Sequence, residues 1–262
     1  MRELTGAIPG GVTGAILAPL LLGDLHRPRV TVYAAGGRTE LSTASLANWS
    51  AKVAGLLVDE LGLVPGDAVA VRLPAGWQTA PVLLGIWWAG LTVADADGPA
   101  AAAGVAAAFV ADGADDSDVT ADEVFVVSGH PLGAPSRQVA AHQRDFTGAV
   151  LPQADRFAPR VSVASTDVVV RSAQGDLDLA GMLTAARVAS RAIGTAGRLM
   201  SDRPWTLPDG VAGTLVAALA ADGSLVQVLP GGADDLAAIA AAERATLTDG
   251  PVIAGLPAID RP

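Results

Sequence analysis

Apolar positions in this chain fall into short alternating runs and longer helical stripes. Residues 29–35 and 38–41 flank Gly36-Gly37 and predict a hairpin, since glycine reaches positive φ without a steric cost. A helix follows, with Ser42 or Thr43 as its cap and Leu46, Trp49, Val53, Leu56 and Leu61 recurring at helical spacing. Gly62 suits its end, and "VPGD" at 64–67 turns the chain into a strand at 68–73. Residues 77–89 predict a second helix, stopped by Gly90 and followed by a strand at 91–94. Lys52 falls between the apolar positions of the first helix, which points it toward water.

The alternation continues with strands at 105–111 and 123–128. Residues 129–166 are Pro-rich and polar, with a helix near 137–149, and read as a connection. A strand at 167–172 then enters a short loop and a helix over 177–193. Helices at 209–221 and 234–243 alternate with strands at 225–229 and 245–248. Strand–helix–strand order of this kind implies parallel pairing, and so an α/β fold of layered, mostly parallel sheets with helices on both faces. The expected organisation is an N-terminal segment 1–24, a first α/β subdomain 25–128, the connection 129–166, a second subdomain 167–255 and a tail 256–262. "GAIPGGVTG" at 6–14 lacks G-x-G-x-x-G and a preceding strand, so it reads as a flexible segment.

Composition narrows the chemistry. The 262 residues are 51% hydrophobic and 17% charged, far from a disordered composition. The net charge of −10 argues against nucleic acid as a partner and against anionic membrane surfaces. Glu3, the glycines and Pro9 interrupt a signal-peptide pattern, and 80–96 is short for a spanning helix, so no membrane insertion is expected and the protein reads as cytoplasmic. With no cysteine, thiolate metal sites and thiol nucleophiles are excluded. Lys52 is the sole lysine among 17 basic residues, so any mechanism that needs a lysine must use it. The alanine-, glycine- and arginine-rich usage suggests a GC-rich bacterial gene.

Single residues offer little. His130 lies two positions from Ser128, but without a G-x-S-x-G elbow it reads as a surface-loop histidine. His26 and His142 are isolated, and no H-x-x-x-H pair offers zinc ligands. The run of Asp112, Asp115, Asp116, Asp118, Asp122 and Glu123 misses the spacing of a calcium loop and reads as a solvated acidic loop. Of Trp87 and Trp88, about 100° apart on a helix, one is expected in the core and one partly exposed. Arg187 and Arg191 share a helix face and, with Arg198 and Arg203, form the best basic cluster, read as solvated.

The order of these parts resembles the N-terminal domain of AMP-binding, acyl-adenylate-forming enzymes, and more closely a short actinobacterial family related to that domain. Leu41, Leu46, Gly62, Pro65, Gly66, Asp67, Val69, Ala89 and Gly90 fit the family's hairpin, T-Y-x-x-L helix, G-x-x-P-G-D-x-V turn and "AG" strand. The resemblance places residues 168–179 on the family's phosphate loop, S/T-S-G-T-T-G-x-P-K-G. Only Ser172 and Gly175 match; the proline and lysine are gone, and Asp176 and Asp178 stand where a cation is wanted. At about 6 Å and an effective dielectric of about 20, each carboxylate opposes a phosphate charge by roughly 3 kcal/mol before screening.

The resemblance also places a ribose-binding aspartate and a small lysine-bearing domain beyond the end of this sequence. It therefore implies a non-catalytic relative, a pseudoenzyme acting as a binding or scaffolding protein. No catalytic residue, cofactor or metal is expected, and a protein partner is possible. Two alternatives stand beside this: an acyl-AMP ligase subunit completed by a partner, and a sensor of acyl or adenosine compounds.

Overall fold

The computed structural model describes residues 7–96, 104–232 and 235–259. The hairpin of β2 (Pro28–Ala34) and β3 (Gly37–Ser42) leads into helix α2 (Thr43–Gly55), whose N-cap is Ser42 accepting a hydrogen bond from the Ser45 amide. Strand β4 (Ala68–Arg72), helix α3 (Thr79–Trp88) and strand β5 (Thr92–Asp95) follow, then β6 (Val105–Ala111) and β7 (Ala121–Val127). Strand β8 (Gln143–Asp145) and the short helix α4 (Phe146–Val150) lie in the segment read as a connection.

The second half repeats the order. A hairpin of β10 (Val168–Ser172) and β11 (Gly175–Asp178) leads into α5 (Leu179–Ile193) and β12 (Arg198–Ser201). A continuous helix over 209–220, here α6, includes a π-type turn at Ala212–Val216 and leads to β13 (Ser224–Val228). Helix α7 (Leu236–Ala242) and β14 (Leu247–Asp249) close it.

Seven strands form the larger of two main sheets, in the order β11-β10-β5-β4-β6-β7-β8, and five form the smaller, in the order β14-β12-β13-β2-β3. Among the described residues, the pairings within these two sheets are parallel except the two edge hairpins. Each half donates its hairpin to the other half's sheet. β2 pairs with β13, and β10 pairs with β5, in equivalent positions. The halves interleave, so neither closes a sheet of its own.

Side chains lock both exchanges. Arg29 of β2 is 1% exposed; its Nε donates to Thr43 Oγ1 (2.9 Å) and its Nη1 to the carbonyls of Asp222 (2.8 Å) and Gly223 (2.9 Å), just before β13. On the other side, Trp87 Nε1 donates to the Val169 carbonyl (2.8 Å) and Thr92 Oγ1 to the Val168 carbonyl (2.8 Å). Trp87 is buried, while Trp88 is half-buried against Phe157, as their angular separation implies. The helices between the sheets carry the main core, including Leu46, Val53, Leu84, Met182 and Leu215. Gly85 permits the close approach of α3 to α2, because a Cβ there would lie 2.5 Å from that of Val53.

Five local readings change, the first being the helix expected near 137–149, which is confined to Phe146–Val150 behind strand β8 because Asp145 caps it there by accepting from the Gly148 amide. Ile8–Pro9 form a short strand, β1, paired with β9 (Ser162–Val163), and Gly11–Leu20 form a helix, α1, burying Val12, Ile16, Leu17 and Leu20. This stretch was read as flexible because a helix apolar on nearly every side has no period to detect. Residues 175–178 form an edge strand rather than the start of a helix; Asp178 caps α5 instead, accepting from the Gly181 amide at 2.7 Å. Lys52 turns from water to tie down the chain after α4, donating to the carbonyls of Leu151 and Gln153 and pairing with Asp155 at 2.9 Å. The tail, outside 260–262, runs along β14, with Ile259 N donating to the Thr248 carbonyl at 2.7 Å. The position opening the expected 234–243 helix, Asp234, and residues 1–6 lie outside the described residues.

An ion network around the buried Glu243 ties the end of α7 to the five-stranded sheet. Glu243 accepts from Tyr33 Oη (2.7 Å), from Arg38 Nε (2.7 Å) and from Arg198. Burial works against its charge, but hydrogen bonds from Arg38, Tyr33 and Arg198 outweigh it and hold its pKa down from 4.5 to about 2.

Two outcomes are expected. Arg29→Ala leaves the buried acceptors of Thr43 and Gly223, and the partly buried Asp222 carbonyl, without the Arg29 donor and lowers stability by about 3 kcal/mol; because the hairpins are exchanged, the loss appears as one shifted calorimetric transition rather than early melting of one half. Glu243 has a depressed folded pKa, so its contribution is fully present above about 4.5 and fades as pH falls toward 2. Glu243→Gln therefore destabilises by on the order of 3 kcal/mol at pH 7 in urea titrations, with the difference from wild type shrinking toward pH 2.

Candidate functional site

In the seven-stranded sheet the chain leaves β4 toward β5 on one side and leaves β6 toward β7 on the other. Between the adjacent carboxyl ends of β4 and β6 lies a topological switch point, where open α/β sheets form their binding crevices. Two cavities open there, sharing a wall made by Leu73, Pro74, Ala75, Thr79 and Ala111.

The larger, about 470 Å³, is reached by Arg72, Asp95, Gln174, Trp205 and Thr206, and so joins both halves of the chain. Arg72 is engaged in a bidentate pair with Asp118 (2.7 and 2.8 Å) and donates to the Asp115 carbonyl (2.6 Å). The Arg72 hydrogen bonds hold the Asp118 carboxyl below its ordinary range. Asp116 is likewise lowered, chiefly by Gln143 (2.8 Å), with His142 at 3.3 Å. The acidic loop is thus fastened to the sheet at Arg72 and Gln143. No group of three or more His, Asp or Glu among the described residues is placed to hold a metal ion.

The smaller cavity, about 250 Å³, lies between the β2–β3 hairpin, the loop after β4 and the ends of β6 and β7. Trp77, Gln78, Val127, Ser128 and Leu229 are among its wall residues. Trp77 is fixed by its Nε1 donating to the His130 carbonyl (3.1 Å) and by an edge contact with Trp49.

The residues assigned to the phosphate loop sit at the hairpin beside the larger cavity. Ser172 and Gly175 face each other in register, leaving only Ala173 and Gln174 in the turn. The Ser172 hydroxyl donates to the Gly175 carbonyl (3.0 Å), so it is spent within the hairpin. Asp176 pairs in register with Arg171, the side chains 3.9 Å apart, and Asp178 is the α5 cap. A two-residue turn has too few amides to wrap a phosphate in the manner of a long glycine-rich loop.

The other sequence candidates do not converge. Ser128 Oγ donates to the Ala134 carbonyl (2.6 Å) rather than to an imidazole, and His130 Nδ1 accepts from the Leu132 amide (3.1 Å). His26 is exposed. Arg187 and Arg191 are exposed on α5, Arg198 belongs to the Glu243 network, and Arg203 pairs with Asp249 at 2.8 Å. Sequence reasoning missed Gln78, Gln174 and Trp205. The available signal was position: Gln78 lies in "LPAGWQTA", at the carboxyl end of the strand beside the switch point.

With this geometry in view, the architecture is that of the N-terminal domain of adenylate-forming enzymes. An acyl-CoA synthetase from Brucella canis superposes with a TM-score of 0.75 at 16% identity, covering 95% of this chain and 48% of that one. The anthranilate CoA ligase AuaEII, solved with anthranoyl-AMP, gives a TM-score of 0.74 at 13% identity, covering 95% of this chain and 51% of that one. This chain therefore spans about half the length of those solved proteins, and at such identities the likeness concerns the fold. No protein-family model matches the sequence. A protein of Mycobacterium tuberculosis (strain ATCC 25618 / H37Rv) described as a TIGR03089 family protein is 38% identical over 230 residues, covering 84% of this chain and 90% of that protein. The chain belongs to the TIGR03089 family. No helix among the described residues is long and apolar enough to cross a membrane.

Proposed function

We propose that this protein is a non-catalytic member of the adenylate-forming fold that acts by binding, without nucleotide chemistry of its own. The observation that carries this reading is the hairpin at Ser172–Gly175, where two residues, Ala173 and Gln174, stand in place of a phosphate-cradling loop. Adenylation develops charge on transferring phosphoryl oxygens, and enzymes meet it with preorganised amides, hydroxyls and cations. Here the Ser172 hydroxyl is turned onto the Gly175 carbonyl, Arg171 lies opposite Asp176, and Lys52 is committed to the chain after α4. Arg72, the cation at the larger cavity, is neutralised by Asp118. The cavities at the switch point remain as the binding surface.

The test is ATP–pyrophosphate exchange with the purified protein, Mg²⁺ and a panel of short-chain, medium-chain and aromatic carboxylic acids. No exchange above the protein-free blank is expected with any acid. Exchange that saturates with ATP and is lost on inserting bulk at the turn, as in Gly175→Val, overturns the reading.

A further inference from the structure

Helices α1, α5 and α6 leave a surface hollow between them. Its apolar wall is Ile16 and Leu20 of α1, Leu183 and Ala186 of α5 and Leu219 of α6; Arg187 and Asp222 are its charged wall residues. The hollow measures about 250 Å³, whereas a cavity of about 150 Å³ holds benzene, so it has room for the side chain of a leucine. Its charge is one-sided. Asp222 is spent on Arg29 (2.9 Å) and Arg27 (3.5 Å). Arg187 is exposed and has no ion-pair partner among the described residues, and the same holds for Arg191 one turn further along α5.

Beside the hollow stands an apolar side chain with nothing to cover it. Leu22, two residues beyond Leu20, is 91% exposed, so it does not fill the hollow of its own chain. The loop that carries it is held in place. Arg27 pairs with Asp222 and donates to the Ala196 carbonyl (3.1 Å) just past α5, and the Asp24 carbonyl accepts from Thr43 Oγ1 (3.0 Å). The Asp24 carboxylate accepts from the His26 amide at 2.9 Å and forms no ion pair among the described residues. A fixed loop thus presents a leucine and an unpaired carboxylate next to a leucine-sized hollow bordered by an unpaired arginine.

These two sets of groups complement each other and share one end of α1, so a second copy related by a twofold axis can satisfy both reciprocally. The net charge of −10 makes two copies repel, and their approach is least opposed at a face carrying unpaired arginines. We infer that this face is a self-association surface, where Leu22 of each copy enters the hollow between α1, α5 and α6 of the other and Asp24 of each meets Arg187 of the other. The inference goes beyond the reading of the switch-point cavities and does not depend on it.

Sedimentation equilibrium of the full chain tests it. Wild type is expected to form a dimer with a Kd below about 10 μM. Leu22→Ser should remain monomeric up to about 200 μM, because each lost contact counts twice in a twofold dimer, and should keep the wild-type far-UV circular dichroism. Arg187→Glu sets two carboxylates face to face and should weaken the dimer by at least about tenfold. Asp24→Asn keeps an oxygen for the His26 amide and removes the charge. It should weaken the wild-type dimer yet strengthen the Arg187→Glu dimer, a reversal of sign expected only where the two side chains meet.

A wild-type protein that stays monomeric, a dimer indifferent to Leu22→Ser, an Asp24→Asn effect of the same sign in both backgrounds, or growth past the dimer with concentration each overturns the surface.

Discussion

The reciprocal exchange of hairpins is the constraint on which the rest of the structure depends. Each half of the chain supplies a parallel neighbour for a strand of the other, β2 for β13 and β10 for β5. β2 lies on β13 because Arg29 reaches the carbonyls of Asp222 and Gly223; β10 lies on β5 because Trp87 and Thr92 hold the carbonyls of Val169 and Val168. Trp87 belongs to α3, the helix that follows the Gln78 loop. One indole hydrogen bond therefore helps set the position of the β10–β11 turn relative to the smaller cavity. The larger cavity takes its walls from both halves because of how they lock.

Much of this arrangement was legible in the sequence, for identifiable physical reasons. α2 carries its apolar residues at helical spacing behind a serine cap, and β4 follows a Pro-Gly turn, so both were readable locally. α1 was not, because Val12, Ile16, Leu17 and Leu20 are embedded in a stretch that is apolar on nearly every side. β11 was not, since Gly-Asp-Leu-Asp has poor strand propensity and is a strand only by pairing along the edge of β10. Lys52 looked solvated because helical periodicity says nothing about the loop after α4, whose carbonyls lie within reach of its Nζ. Gln78 left no trace in the pattern. That its buried carboxamide lacks hydrogen-bond partners is visible only in the packed structure.

The proposed absence of nucleotide chemistry turns on a single short turn. The layers, the switch point and the crevice are those of the adenylate-forming N-terminal domain, and they arise from strand order and helix packing alone. Phosphate binding makes a separate demand, for a loop long enough to aim several donors at one anion. With only Ala173-Gln174 in the turn, the hairpin closes and Ser172 bonds to Gly175, directly ahead of β11 and α5. The two-residue turn is thus compatible with the fold and with both cavities at the switch point.

The central claim is that this turn no longer holds a phosphate. Isothermal titration of the purified protein with AMP and a non-hydrolysable acyl-adenylate analogue tests it most directly. The expected result is no saturable heat up to millimolar ligand; micromolar binding that is lost when Ser172 or Gly175 is replaced would contradict the claim.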